Sequence, residues 1–355
     1  MRAVVARGPR DFELVDVPEP EVGPGGAVLA VTGAGVCAAD RMLWRGDGPW
    51  PVSYPFVPGH EIVGRVEDVS EDSSRRWGVS SGDLVGVEVM VPCGRCRLCS
   101  IGRENLCRSG AHLGSDLPGG FAERVHVPPA ARVHLIPPSV PPRAAALLEP
   151  LANAVHAVRR VAPEPGHDVV VIGLGAVGAL VVQVLRAVAP QVRVVAVVNR
   201  GDRADLALAL GAHRVLVAPP DAPEEAMAEL AELGGGLGPD RILELSGDPR
   251  AAALALRAAG PGGRVCLYGV YREPATVDLN QVAEFKELDV VGGHLAPAGA
   301  FARAVELLAA GGVAAEAVAT DVLPLDRFRE ALDLAADGRV RLKTVLVPNP
   351  WTEEA

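Results

Sequence analysis

Between residues 168 and 270 the chain switches repeatedly between short apolar runs and longer amphipathic ones. In order they read DVVVI, AVGALVVQVLRAVA, RVVAVVN, RADLALALGA, HRVLVA, EEAMAELAELGG, DRILELSG, PRAAALALRAAG and GRVCLYGV. Strand and helix periods in alternation predict a parallel sheet with helices on both faces, because parallel neighbours need a long crossover. The first strand-to-helix turn reads Gly173-Leu174-Gly175-Ala176-Val177-Gly178. Gly173 permits the tight turn, Gly175 lets a pyrophosphate approach the backbone, and Gly178 lets strand and helix pack closely. The helix N-terminus then faces the anion. A dinucleotide-binding, Rossmann-type domain is expected over 149–287. The end of its second strand carries Asn199 where an acidic residue would hold a ribose 2′-hydroxyl, and Arg200 and Arg203 follow. Arginines there pair with a 2′-phosphate, which favours NADP over NAD; Asp202, a residue or two away, is the competing reading.

A second local signal is Cys93, Cys96, Cys99 and Cys107 in CGRCRLCSIGRENLC. Four thiolates from one lobe, spanning about 90–110, close a tetrahedral zinc shell with no open position, so a structural Zn²⁺ is expected. Two disulfides, four unrelated thiols or an iron–sulfur cluster are the competing readings. The chain shows no secretory context, which favours metal over disulfide.

Residues 1–148 differ in texture. AVLAVTGAGVC, EIVGRVEDV, DLVGVEVMV and FAERVHVP are short apolar runs cut by Gly and Pro, as in an all-β domain. RAAALLEPLANAVHAVRRVA reads as helix interrupted at Pro150, and after residue 287 mixed elements return to residue 355, with NPWTEEA a loose tail. The net charge of −10, from 34 basic and 44 acidic residues, argues against nucleic-acid and anionic-membrane partners. The N-terminal stretch lacks the apolar core of a signal peptide, and no apolar run is long enough to span a bilayer, so a cytoplasmic protein is expected.

Cys37 in GVCAAD, His60 and Glu61 in PGHEIVG, and Glu149 in LEPLANAVHA supply a thiolate, an imidazole and two carboxylates. Such a set makes a mixed zinc shell that keeps a position open. Spacing alone does not unite residues so far apart. Taken in order with the cysteine lobe and the glycine turn, however, these motifs resemble the zinc-dependent medium-chain dehydrogenases/reductases, over essentially the whole chain. The EPLA element is similar to the polyol (sorbitol-type), threonine and sugar dehydrogenase branch. The resemblance implies a groES-like β-rich catalytic domain over 1–148, completed by 288–355, beside the Rossmann domain. It implies a catalytic zinc on Cys37, His60, Glu61 and Glu149, and a homodimer or homotetramer. The expected activity is NAD(P)-linked interconversion of a secondary alcohol and a ketone on a polyol, sugar or cyclitol. Threonine-type amino alcohols, aminosugars and aminocyclitols are the other candidate substrates.

One departure stands out. The family carries Ser or Thr two residues after the metal cysteine, where its hydroxyl starts a proton relay; this chain has Ala39. The relay then runs through water to Glu61, Glu149 or His156, or the substrate supplies the hydroxyl, or the activity is altered, down to a protein that binds zinc and dinucleotide without catalysis. Asp40 is expected to tether the metal loop. The Trp-, Arg- and Asp-rich segment 41–54 is expected at the pocket mouth, with Trp44, Trp50 and Tyr54 against a sugar ring or packed inward. Arg41, Arg45 and Asp47 are candidates for an amino or carboxylate group, and His294 for a cofactor or subunit contact.

Overall fold

The structure, a computed structural model, describes residues 1–23, 25–219, 222–333 and 341–348, so the expected loose tail lies outside the described residues. Two compact units form: Met1–Ala152 with Leu295–Ala355, and Asn153–His294.

In the first unit β1 (Arg2–Gly8) and β2 (Asp11–Asp16) make an antiparallel hairpin. Then come β3 (Ala27–Val36), β4 (Glu61–Val69), β5 (Leu84–Val87), β6 (Met90–Val91), β7 (Ala111–His112), β8 (Arg124–Val127) and β9 (Val133–Leu135). The second unit contributes β10 (Asp168–Ile172), β11 (Arg193–Val198), β12 (Arg214–Val217), β13 (Arg241–Glu244), β14 (Arg264–Leu267) and β15 (Asp289–Gly292). The chain then returns to the first unit with β16 (Asp321–Pro324) and β17 (Thr344–Val347).

The first unit's main sheet runs β16-β17-β3-β4-β5-β9, with β8 also on β3. Its core gathers Phe12, Leu29, Ile62, Val85, Phe121, Leu325 and Leu346. Because β3 lies between β17 and β4, residues distant in sequence meet at one end of the sheet. Gly35 pairs with Glu61, and Val36 with Thr344. The two-stranded ladder of β6 and β7 closes the base of the cysteine lobe.

The second unit's sheet runs β12-β11-β10-β13-β14-β15, all parallel. Numbered from β10, this is the Rossmann order 3-2-1-4-5-6, whose switch point lies between β10 and β13. DVVVI of β10 is buried throughout, as helices on both faces require. Pro150 does not interrupt its helix. It sits in the first turn of Leu148–Val161, where its missing N–H has no intrahelical partner to lose.

Candidate functional site

The dinucleotide turn follows from its glycines. Gly173 has φ +94°, and a Cβ there would stand 2.9 Å from the Ser246 backbone nitrogen. At Gly178 a Cβ would come within 2.0 Å of the Gly173 carbonyl oxygen, whereas nothing lies within 4 Å of one at Gly175. The first and third glycines therefore serve packing, and the second leaves open space at the N-terminus of the helix Ala176–Val188. Beyond β11, Arg200 pairs with Asp202, and Arg203 turns back to donate to the Leu174 carbonyl at 2.6 Å. Asn199 follows directly on β11.

Sequence reasoning missed the group beneath this turn. Glu244 ends β13 fully buried, and its Oε1 accepts from Ser246 N at 2.7 Å and Gly247 N at 3.2 Å, and from the Ser246 hydroxyl. Tyr271 donates to its other oxygen. Burial pushes the Glu244 carboxyl above its usual range against the pull of these donors. One carboxyl thus ties the segment that packs on Gly173 to the segment after β14. His156 packs edge-on to Tyr268, ring centroids 6.0 Å apart, and Tyr268 donates to Asn153 at 3.1 Å.

In the lobe the four cysteine sulfurs lie within 4.8 Å of one another. Cys96 Sγ is 3.5 Å from Cys99 Sγ and 3.8 Å from Cys107 Sγ. A tetrahedron with Zn–S bonds of about 2.3 Å has sulfur–sulfur edges of about 3.8 Å. A disulfide would need about 2.05 Å, and all four cysteines are free thiols. Hydrogen bonds from the Arg95 and Cys96 backbone lower the Cys93 pKa to about 6. Burial and the neighbouring thiols raise Cys99 to about 12. Backbone and thiol hydrogen bonds lower Cys96 as well, so the lobe favours thiolates at Cys93 and Cys96 and opposes one at Cys99, a conflict that a soft dication resolves. Its donor set fits zinc.

The second cluster sits where β3, β4 and β17 meet. Cys37 caps the helix Ala38–Arg45, and its backbone N–H donates to Asp40 Oδ2 at 2.8 Å. Asp40 thereby fixes the turn, and its Oδ1 faces His60 Nδ1 at 3.6 Å. That leaves Nε2 of His60 for another partner, the arrangement in which a carboxylate orients a metal-bound histidine. Burial works against the charged ring, but Asp40 and Cys37 outweigh it and hold the His60 pKa well above its ordinary value. Ligand atoms of Cys37, His60 and Glu61 come within 4.8 Å of one another. Glu61 is 2% exposed, and its Oε2 is buried with no hydrogen-bond partner. A Cβ on Gly35 would stand 1.9 Å from that oxygen, so glycine is required there. A thiolate, an imidazole and an orphaned carboxylate oxygen fit a zinc ion. Glu149, buried at the start of its helix, stands outside this group of three.

Lys343, one of only two lysines in the chain, completes the cluster. It is 5% exposed, and its Nζ donates to Glu61 Oε1 at 2.6 Å and to the Val36 carbonyl at 3.3 Å. Burial opposes its charge, but Glu61 and Cys37 hold its pKa above the usual lysine value. Lys343→Met should leave Glu61 buried without its counter-ion and destabilise the metal-stripped protein by about 3–5 kcal/mol. Urea unfolding measures this, and an unchanged midpoint would remove the pair from the site's account.

Segment 41–54 turns its aromatics inward. Trp44 is buried edge-on against Phe12, centroids 5.1 Å apart, with its indole N–H donating to Asp333 at 3.3 Å. Trp50 and Tyr54 pack against the same core, and Arg45 binds Asp47 at 3.1 Å. Of the two arrangements expected for these aromatics, the inward one is found: a large apolar ring next to a core gains more by burial than by waiting for a ligand.

Two family models match the chain: the alcohol dehydrogenase GroES-like domain over residues 23–138 and the zinc-binding dehydrogenase domain over 176–310. An erythritol/L-threitol dehydrogenase of Mycolicibacterium smegmatis is 33% identical over 98% of both chains. The chain belongs to the zinc-dependent medium-chain dehydrogenases of the alcohol dehydrogenase superfamily. An L-threonine 3-dehydrogenase of Anaeromyxobacter sp. strain K is 36% identical over 91% of this medium-chain dehydrogenase and 92% of its own length. An alcohol dehydrogenase of E. coli CFT073, solved with NADH, superposes with a TM-score of 0.87 at 28% identity, covering 98% of this chain and 99% of that one. Among the described residues no helix is long and apolar enough to cross a membrane.

Proposed function

We propose that this dehydrogenase uses a catalytic zinc and NADP, in preference to NAD, to interconvert a secondary alcohol and a ketone on a polyol or sugar. The observation that carries the reading is the convergence of Cys37, His60 and Glu61 at the ends of β3 and β4, with a carboxylate oxygen left unsatisfied. A zinc ion there supplies Lewis-acid polarisation of the substrate oxygen. Asp40 orients His60, Lys343 holds one oxygen of Glu61, and the Gly173–Gly178 turn receives the pyrophosphate. The likeness to an erythritol/L-threitol dehydrogenase supports a polyol. The absence of an acid at the end of β11, with Arg200 and Arg203 after it, supports NADP.

Ala39 carries no hydroxyl, so the alcohol proton leaves by another route. Ala38 is exposed and Cys37 and Ala39 are half-buried, so the turn is open to water and water accepts the proton. The similarity to L-threonine 3-dehydrogenases favours threonine as the second candidate.

The test is coenzyme reduction by zinc-loaded protein with NADP⁺ and NAD⁺ in parallel, against alditols, aldoses, cyclitols and threonine. Turnover is expected with an alditol or sugar, and kcat/KM is expected to be higher with NADP⁺. Exclusive use of threonine would replace the polyol reading, a preference for NAD⁺ would assign Asp202 to the ribose, and silence on all would leave a non-catalytic zinc and dinucleotide binder.

A further inference from the structure

Arg41 stands one helical turn after Cys37, the two on one face of the helix, and its backbone N–H donates to the Cys37 carbonyl at 3.4 Å. Its Nε is buried without a hydrogen-bond partner, and among the described residues no carboxylate forms an ion pair with its guanidinium. Arg41 is half-buried and its guanidinium keeps its charge, so holding the Nε–H out of water without a partner is costly. Burial lowers the Arg41 pKa, and the charges of Cys37, Asp40 and Glu61 oppose that fall, while Arg45 adds to it.

None of those three acids is free to pair with Arg41. Cys37 and Glu61 belong to the cluster that fits zinc, and Lys343 already holds Glu61. Asp40 is bound by the Cys37 N–H and faces His60. A divalent cation among them would cancel the negative charge that offsets Arg41. Arg45, next along the helix, is bound to Asp47. The positive charge beside the site therefore calls for an anion that no described residue supplies.

We propose that Arg41 is a specificity-determining residue that binds an anionic oxygen group, a carboxylate or phosphate, on the alcohol substrate. The preferred substrates are then acidic polyols or sugars, such as aldonates or sugar phosphates, rather than neutral ones. This rests on the reading of the Cys37 site as the alcohol site. Charge-assisted, forked hydrogen bonds of this kind are worth about 10–100-fold in affinity.

The test uses the full zinc-loaded protein, as wild type, Arg41→Met and Arg41→Lys, each first shown by its melting curve to be folded. Alditols of four to six carbons, the aldonates of the same length and their monophosphates are titrated by calorimetry and assayed in turnover. In wild type the better of the two acidic series should bind at least tenfold more tightly than the matched alditol. Which series wins tells carboxylate from phosphate. Arg41→Met should close that gap, through KM rather than kcat, and Arg41→Lys should restore part of it. Equal binding of acidic and neutral members by wild type overturns the proposal. So does an equal loss of both in Arg41→Met, or a loss confined to the KM of the coenzyme. If alditols turn over and no acid is preferred, the polyol reading stands and Arg41 is misassigned. If the Arg41-dependent preference appears by calorimetry while no alcohol turns over, the anion site stands and the catalytic reading falls.

Discussion

Cys107→Ser will release the lobe's zinc and lower the melting temperature of the whole chain. Cys107 is the buried cysteine of the lobe, 5% exposed. It accepts the Cys93 backbone N–H at 3.4 Å and lies 3.8 Å from Cys96 Sγ. A serine hydroxyl is a poor zinc ligand at neutral pH, and three thiolates crowded without the cation repel one another. Zinc binding in small cysteine-ligated domains carries about 10–16 kcal/mol of apparent free energy that is also folding free energy. The loss here will be smaller, because the β6–β7 ladder still closes the lobe's base. Metal analysis should fall by one zinc per chain, and a chelator should give the wild-type protein the same lowered melting curve. Acid should act in the same direction, since the ligands must be deprotonated to hold the metal. Unchanged zinc content together with unchanged melting would refute a structural zinc.

The features legible in the sequence were the local ones. The glycine turn announces itself because strand, turn and helix are consecutive, and the cysteine lobe because its four donors lie within fifteen residues. Alternation of strand and helix periods gave the parallel sheet with helices on both faces, and the glycine turn its dinucleotide-binding type, while the order of the strands came only with the structure. The site's electrostatics were not legible. Lys343 lies 282 residues from Glu61 and reads as an ordinary lysine; only the pairing of β17 with β3 brings it in. Glu244 likewise looks like the polar end of a strand until Ser246, Gly247 and Tyr271 turn their donors onto it.

Residue type alone decided neither Trp44 nor Pro150. Trp44 stood open between a sugar platform and inward packing, and Pro150 read as an interruption of its helix, because each was read by residue type without its neighbours. Trp44 lies one position from the buried Leu43 and packs on Phe12, while Pro150 falls where a helix tolerates proline. A residue's chemistry is general; its use is set by what the fold packs against it. Gly35 shows this in reverse: nothing in AVTGAGVC marks it, yet the Glu61 carboxylate occupies the volume its side chain would fill.

Cys37→Ser should abolish turnover while the fold survives, and the chain's geometry separates the two effects. Cys37 is half-buried in a turn, and its structural roles are carried by its backbone. Its N–H donates to Asp40 at 2.8 Å, and its position caps the helix Ala38–Arg45. Serine keeps that backbone and is itself a favoured helix cap, so the melting temperature should hold. What serine cannot supply is a thiolate. Loss of an outer partner of a metal ligand commonly costs about 10–100-fold in activity or affinity, and removing the ligand itself should cost at least about 100-fold. Zinc analysis should fall by one per chain, with the lobe's zinc retained, in contrast to Cys107→Ser, where the fold itself weakens. The pair of variants thus assigns each zinc to its own cluster by stability and activity together. A Cys37→Ser protein with full zinc content and wild-type turnover would show that chemistry does not occur at this cluster.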